Sequence, residues 1–261
     1  MIVVKFGGHA MKDENGNFAK AISAAQKSGE KVVVVHGGGP QIDAALNAKG
    51  IVSQWIGGFR VTTQEIFDVV EDVLVNQVGN EVATRLGKAG IKAQAVSART
   101  LPTVIANRRT HLIDGTPADL GFVGDVQSVN PAVLIDLLNQ GIVPVVAPVS
   151  SDVDMKTGLN VNADFAAAAI AAALEASSLI VMTDVAGIYR NWPDRDSLIE
   201  SISATELESI KGGFAEGMAP KVQASLDALS FGAKAVRIID GTDSDSFASA
   251  LAGTGGTLVV A

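Results

Sequence analysis

Lys31-Val32-Val33-Val34-Val35-His36-Gly37-Gly38-Gly39-Pro40 decides the fold: a β-branched run reading as a strand, a glycine turn, then a proline that opens a helix. That helix runs over Pro40–Lys49, and Gly50 closes it. Glycines between a strand and a helix let backbone N–H groups approach an anion at the positive end of the helix dipole. The other reading of such a turn is close helix–strand packing, and the loop alone leaves both open.

Working outward, Ile2–Phe6 reads as a strand followed by Gly7-Gly8, and Glu14–Ser28 as a helix stopped by Gly29. Two glycine turns then sit after neighbouring strands, at the edge where open α/β sheets collect their ligands. From Thr63 to Ala89, Ile66, Val70, Val73, Leu74, Val78, Val82 and Leu86 recur near helical period, giving one long amphipathic helix with Gly90 as its stop. The stretch from Lys92 to Val129, broken by Pro102, Asn107, Gly115, Pro117, Gly121 and Gly124, reads as a strand-and-hairpin excursion over one end of the sheet, where a substrate-covering flap is expected. Helix Asn130–Asn139, strand Ile142–Ala147, helix Ala163–Ala176 and strand Leu179–Thr183 resume the alternation. Helices around Ala204–Lys211 and Pro220–Phe231 and strands Ala235–Asp240 and Thr257–Val260 complete it.

This alternation predicts an α/β fold with a mainly parallel central sheet. The expected division is an N-terminal lobe over residues 1–170 and a C-terminal lobe over 171–261, with the sheet running across both.

Composition narrows the function. The chain has 261 residues, 48% of them hydrophobic, with no cysteine and a formal net charge of -8. Thiol catalysis and thiolate metal sites are excluded. The acidity argues against a nucleic-acid partner, which would need clustered Lys and Arg. It also means that any anionic substrate must meet locally concentrated cations. The longest apolar stretch, Phe165 to Leu174, falls far short of the ~20 residues that span a membrane, and a cytoplasmic protein is expected. His9, His36 and His111 are scattered without metal-ligand spacing, and no Ser-His-acid set stands out. The glycine turn is not a dinucleotide fingerprint, since Ile42 stands where its third glycine belongs, and no Walker loop is present.

A few charges sit where packing would not put them. Lys5 interrupts an apolar strand just before Gly7-Gly8; it either serves a site or snorkels to solvent. Lys221 opens a helix, where a cation opposes the dipole unless an anion lies nearby. Asn160-Val161-Asn162-Ala163-Asp164 precedes an Ala-rich helix, so Asn162 or Asp164 can cap it, while the alternating side chains can also present donors and a carboxylate together. Arg60, in Gly58-Phe59-Arg60-Val61-Thr62, offers a bidentate fork to a carboxylate or forms a surface salt bridge.

Together, Val-Lys-Phe-Gly-Gly at 4–8, His-Gly-Gly-Gly-Pro at 36–40, Gly-Phe-Arg-Val-Thr at 58–62, Asn-Val-Asn-Ala-Asp at 160–164, Thr-Asp-Val-Ala-Gly-Ile-Tyr at 183–189 and Gly-Met-Ala-Pro-Lys at 217–221 resemble, in that order, the acetylglutamate kinases of the amino-acid kinase family. The resemblance spans essentially the whole chain and implies an open three-layer αβα sandwich. It implies transfer of the ATP γ-phosphoryl group to the side-chain carboxylate of N-acetyl-L-glutamate, with Mg²⁺ carried mainly by the phosphates and no protein metal site. Lys5 and Lys221 would then stabilise the transferring phosphoryl and Asp164 would hold both ammonium groups. Gly7 and Gly8 would line the phosphate path. Gly38 and Gly39 would meet the side-chain carboxylate through their N–H groups, and Arg60 and Asn160 the α-carboxylate. Asp184, Val185, Ala186, Gly187, Ile188, Tyr189, Gly213, Phe214 and Ala215 match the nucleotide-contacting segments.

Two residues depart from the family pattern, Phe59 standing for a leucine and Thr63 for an acidic residue, and both bear on pocket shape. Since the sequence starts at its first strand, without the helix that precedes it in arginine-inhibited hexameric members, the resemblance implies an arginine-insensitive homodimer. A sister kinase for carrier-linked aminoadipate, a non-catalytic amino-acid sensor and a dinucleotide oxidoreductase are the competing readings.

Overall fold

The computed structural model describes residues 1–7, 11, 15–99, 102–214, 217–243 and 245–261. Gly8, Ala215 and the start of the helix expected over Glu14–Ser28 lie outside the described residues.

In chain order the elements are β1 (Ile2–Phe6), α1 (Asn17–Lys27), β2 (Val32–His36), α2 (Gly39–Ala48), β3 (Trp55–Ile56), β4 (Phe59–Arg60), α3 (Gln64–Glu71), α4 (Gly79–Lys88), β5 (Ala93–Ser97), β6 (Val104–Arg108) and β7 (Val123–Val129). There follow α5 (Ala132–Asn139), β8 (Val143–Ala147), β9 (Val149–Ser151), β10 (Gly158–Val161), α6 (Ala163–Ala173), β11 (Ser178–Thr183), β12 (Ser201–Ser203), α7 (Ala204–Ile210), α8 (Ala219–Ser230), β13 (Ala235–Asp240), α9 (Ser246–Leu251) and β14 (Thr257–Val260).

Eight strands form one sheet in the order β12-β14-β13-β11-β1-β2-β8-β5. Its pairings are parallel except β13 with β14. The inner strands β1, β2 and β8 are buried at every position, as strands covered on both faces must be. Side chains alternate between the faces. Ile2, Val4 and Phe6 pack into a core layer with α1, α2, α3, α4 and α9. Val3 and its neighbours Val33 and Val35 pack into the opposite layer, under α5, α6, α7 and α8. Lys5 shares the Val3 face by this same alternation, which aims it at α6 and α8. The sheet crosses the expected lobe boundary without a break through the β1–β11 pairing. Among the described residues no helix is long and apolar enough to cross a membrane.

Two expectations need correction. The stretch from Lys92 to Val129 is not one excursion: β5 is the edge strand of the main sheet, paired in parallel with β8. Only β6 and β7 leave it, and they close a small barrel with β9 and β10, two strands that the sequence reading did not assign. Strands of three or four residues carry too little periodicity to be read locally. The helix over Thr63–Ala89 is continuous in outline, but its middle turn, Asp72–Val78, is π-helical. Of the two capping residues that the sequence left open, Asn162 caps α6, accepting the Asp164 N–H at 2.8 Å.

Candidate active site

At the C-terminal edge of the sheet, three charged side chains from three elements meet. Lys5 comes from β1, Asp164 from the first turn of α6 and Lys221 from the first turn of α8. Lys221 Nζ donates to Asp164 Oδ2 at 3.0 Å. Lys5 Nζ lies 3.2 Å from Asp164 Oδ1, but off the hydrogen-bonding direction, so that contact is an ion pair and Oδ1 has no aligned donor among the described residues. Lys5 and Asp164 are 8% and 3% exposed, so the cluster is largely out of water.

Burial shapes the protonation of the three. It lowers the Lys5 pKa, an effect that Asp164 offsets and Lys221 reinforces. Burial also works to raise the Asp164 pKa, but Lys221 and Lys5 overcome it and hold the group at about 2. The Lys221 pKa is raised, chiefly by Asp164. The result is a fixed carboxylate between two cations, with a net positive charge. Asp184, just past β11, adds a carboxylate that acts on both lysines.

The glycine turns meet here. Gly37 N–H donates to the Phe6 carbonyl at 2.8 Å, and a Cβ on Gly37 would stand 3.6 Å from the Gly7 Cα. Beside them is a cavity of about 170 Å³ lined by Gly37, Gly38, Gly39, Trp55, Arg60 and Asn160, among others. Arg60 is 5% exposed and not the surface ion-pair partner that sequence left open. One arm, Nη1, pairs with Asp43 Oδ1 at 2.7 Å, its guanidinium stacks 4.6 Å from the Trp55 ring centre, and Nη2 is buried without a hydrogen-bond partner among the described residues. A buried guanidinium with an idle arm on a cavity wall fits an anionic ligand. Asn160 Nδ2 donates to Thr62 Oγ1 at 3.1 Å, tying β10 to the segment that follows β4 and Arg60.

Residues 184–189 leave the same sheet edge through β11, yet they do not all face open space. Gly187 and Ile188 are buried, and the Ile188 N–H donates to Thr257 Oγ1 at 2.8 Å, so both anchor the loop. Asp184 is exposed, and Val185, Ala186 and Tyr189 are half-buried. Gly213 is exposed in a 3-10 turn, whereas Phe214 packs onto the core. Sequence reading missed Trp55, Asp43 and Leu74, all beside Arg60 or the glycine loop. The Trp55↔Arg60 register of the β3–β4 hairpin was the one available signal, spelled by Trp-Ile-Gly-Gly-Phe-Arg at 55–60. A larger cavity, about 540 Å³ between β7, α6 and α8, is lined by Arg109, Asp125 and Asp227 and has no part of the glycine turn; the charged trio lines neither cavity.

No metal cluster of three or more His, Asp or Glu occurs among the described residues. The arrangement is one of fixed positive charge beside a cavity lined by an arginine and the glycine turn, suited to moving a charged group between two anions.

Comparison with known proteins identifies the family. Residues 1–240 match the sequence profile of the amino acid kinase family. An acetylglutamate kinase of Kineococcus radiotolerans is 44% identical, covering 94% of this chain and 85% of its own length. One from Beutenbergia cavernae is 46% identical, covering 92% and 78%. Among solved structures, a Streptococcus mutans UA159 protein superposes with a TM-score of 0.84 at 29% identity, covering 99% of this chain and 98% of its own. Sequence, fold and site geometry lead to one assignment: the chain belongs to the amino acid kinase family.

Proposed function

We propose that the chain phosphorylates the side-chain carboxylate of N-acetyl-L-glutamate with ATP, the step that acetylglutamate kinases carry out in arginine biosynthesis. A carboxylate oxygen attacks the γ-phosphorus, the bond to the ADP oxygen breaks, and an acyl phosphate forms without proton transfer. The nucleophile is already ionised at neutral pH, so the reaction needs no general base. It needs relief of anion–anion repulsion by fixed charge and positioning. The convergence of Lys5 and Lys221 on the buried Asp164, next to the cavity bearing the idle arm of Arg60, carries this reading.

Within it, Gly38, Gly39, Arg60 and Asn160 bind the dicarboxylate, residues 1–170 form the amino-acid lobe and residues 171–261 the nucleotide lobe. Gly7, Gly8, the 184–189 loop and the 213–215 turn serve ATP. Mg²⁺ bound with the triphosphate would neutralise part of its charge, beside the fixed cations Lys5 and Lys221. The protein works in the cytoplasm as a homodimer, which light scattering of the purified chain tests directly.

The experiment for the reaction is a hydroxamate-trapping assay with ATP and Mg²⁺ on N-acetylglutamate, glutamate, aspartate, aminoadipate and carbamate. Preference for N-acetylglutamate by at least tenfold in kcat/KM is the expected result. Equal or greater turnover of another carboxylate reassigns the substrate, and no turnover of any ends the proposal.

A further inference from the structure

His36 ends β2, is fully buried and stands directly before the glycine turn. Its Nδ1 lies 2.8 Å from the Gly37 carbonyl oxygen. A carbonyl only accepts, so Nδ1 carries the proton and donates it. Nε2 is then a bare acceptor, and it has no partner among the described residues. The ring fits because residue 79, the first of α4 after the π-helical turn, is glycine; a Cβ there would come within 3.1 Å of Nε2. Burial pushes the His36 pKa down to about 4, the Gly37 hydrogen bond only partly offsetting it, so the ring is neutral throughout the physiological range.

The consequence lies in the next peptide. In a trans peptide the C=O of one residue and the N–H of the next share a plane and point in opposite directions. The Gly37 carbonyl and the Gly38 N–H belong to one such unit. The Gly37 N–H is held separately, by the Phe6 carbonyl. Fixing the Gly37 oxygen on the buried ring therefore fixes where the Gly38 N–H points. Glycine has no side chain to set that plane, and without an anchor the unit is free to rotate.

We infer that His36 is a positioning residue for the substrate: its Nδ1–H locks the Gly37–Gly38 peptide so that the Gly38 N–H is presented to the carboxylate in the adjoining cavity. The inference rests on the proposed function, in that the anion is N-acetylglutamate. An unsatisfied buried Nε2 is the cost of holding the ring this way.

Three variants and one spectrum test it. His36→Phe keeps an aromatic ring and removes the donor; His36→Asn returns an N–H at the place of Nδ1; Gly87→Ala, at an exposed position of α4 where an added Cβ meets nothing within 4 Å, controls for handling. His36→Phe is expected to raise KM for N-acetylglutamate at least about fivefold, the scale of one lost hydrogen bond, while KM for ATP stays within about twofold. His36→Asn is expected to recover most of the loss. Long-range ¹H–¹⁵N spectra of the wild-type protein, with the His36 signals assigned by their absence in His36→Asn, are expected to show the Nδ1-protonated tautomer. An Nε2-protonated ring overturns the inference without reference to any variant. So does an unchanged KM in His36→Phe, or an equal loss in both substrates and in thermal stability that His36→Asn does not repair. Failure of the wild-type protein to bind N-acetylglutamate in calorimetry sinks the proposed function itself, and this inference with it. Binding by the wild type that is unaltered in His36→Phe sinks this inference alone.

Discussion

At the scale of single residues, the two lysines are not equivalent. Lys5 is the deeper, and burial lowers its pKa while Asp164 raises that of Lys221. Lys5 is thus the first of the pair to lose its proton as pH rises. The profile of kcat/KM for ATP is expected to fall on the alkaline side below the usual lysine range, and Lys5→Arg to move that limb upward while retaining some turnover. A limb at the same pH in both proteins would assign it elsewhere. Replacing either lysine by alanine is expected to lower kcat by on the order of 10²–10³, the usual cost of one preorganised charge-stabilising group, as steady-state kinetics will read.

Asp164 links the same cluster to stability. Its folded pKa is depressed from 3.8 to about 2. A depressed carboxylate contributes stability that is present above its unfolded pKa and lost as pH falls toward the folded value, here on the order of 2 kcal/mol. Urea unfolding between pH 5 and pH 2.5 is expected to show a steeper loss in wild type than in Asp164→Asn. Parallel slopes would mean that the carboxylate is not ionised at low pH.

At the scale of elements, the π-helical turn Asp72–Val78 governs the glycine loop. Leu74 and Val78 press on Gly38, where an added Cβ would come within 2.6 Å of Leu74 Cδ2. Gly38→Ala is expected to destabilise by about 1–3 kcal/mol through overpacking. In a Leu74→Ala background the same change is expected to cost less than about 0.5 kcal/mol, a coupling that a double-mutant cycle in urea reports. Additive effects would show that the helix does not shape the loop.

Legibility followed the same physics. Strands β1, β2 and β13 and the long helix were readable because each repeats one period over several turns or pleats. The two-residue strands β3 and β4 and the short barrel strands β9 and β10 were not, since two to four residues are too few to show a period. In the site, Lys5 and Lys221 stood out because an apolar strand and a helix start are poor places for a cation. Trp55 and Asp43 did not, because their meeting with Arg60 exists only once the hairpin register and the approach of α2 are set.

At the scale of the whole molecule, each of the two large core layers draws residues from both sides of position 170. One joins Phe18 and Val70 to Ile239 and Phe247; the other joins Val33 and Leu134 to Val222 and Ile238. Apart from a small cluster around Phe59, Leu120 and Val123, the core is shared between the two halves, so they are expected to unfold together. Calorimetry of the apo chain should give one transition with matching calorimetric and van't Hoff enthalpies. Two resolved transitions would show independent lobes.

The buried carboxylate shared by Lys5 and Lys221 has one more effect. Two like charges left alone in a dry cleft would push apart or shed a proton, and an arriving triphosphate would have to gather them again. With Asp164 as a resident counter-anion, both cations wait charged and aimed inward. For the nucleotide, entry then becomes an exchange of partners between neighbours rather than the assembly of a site from scattered pieces.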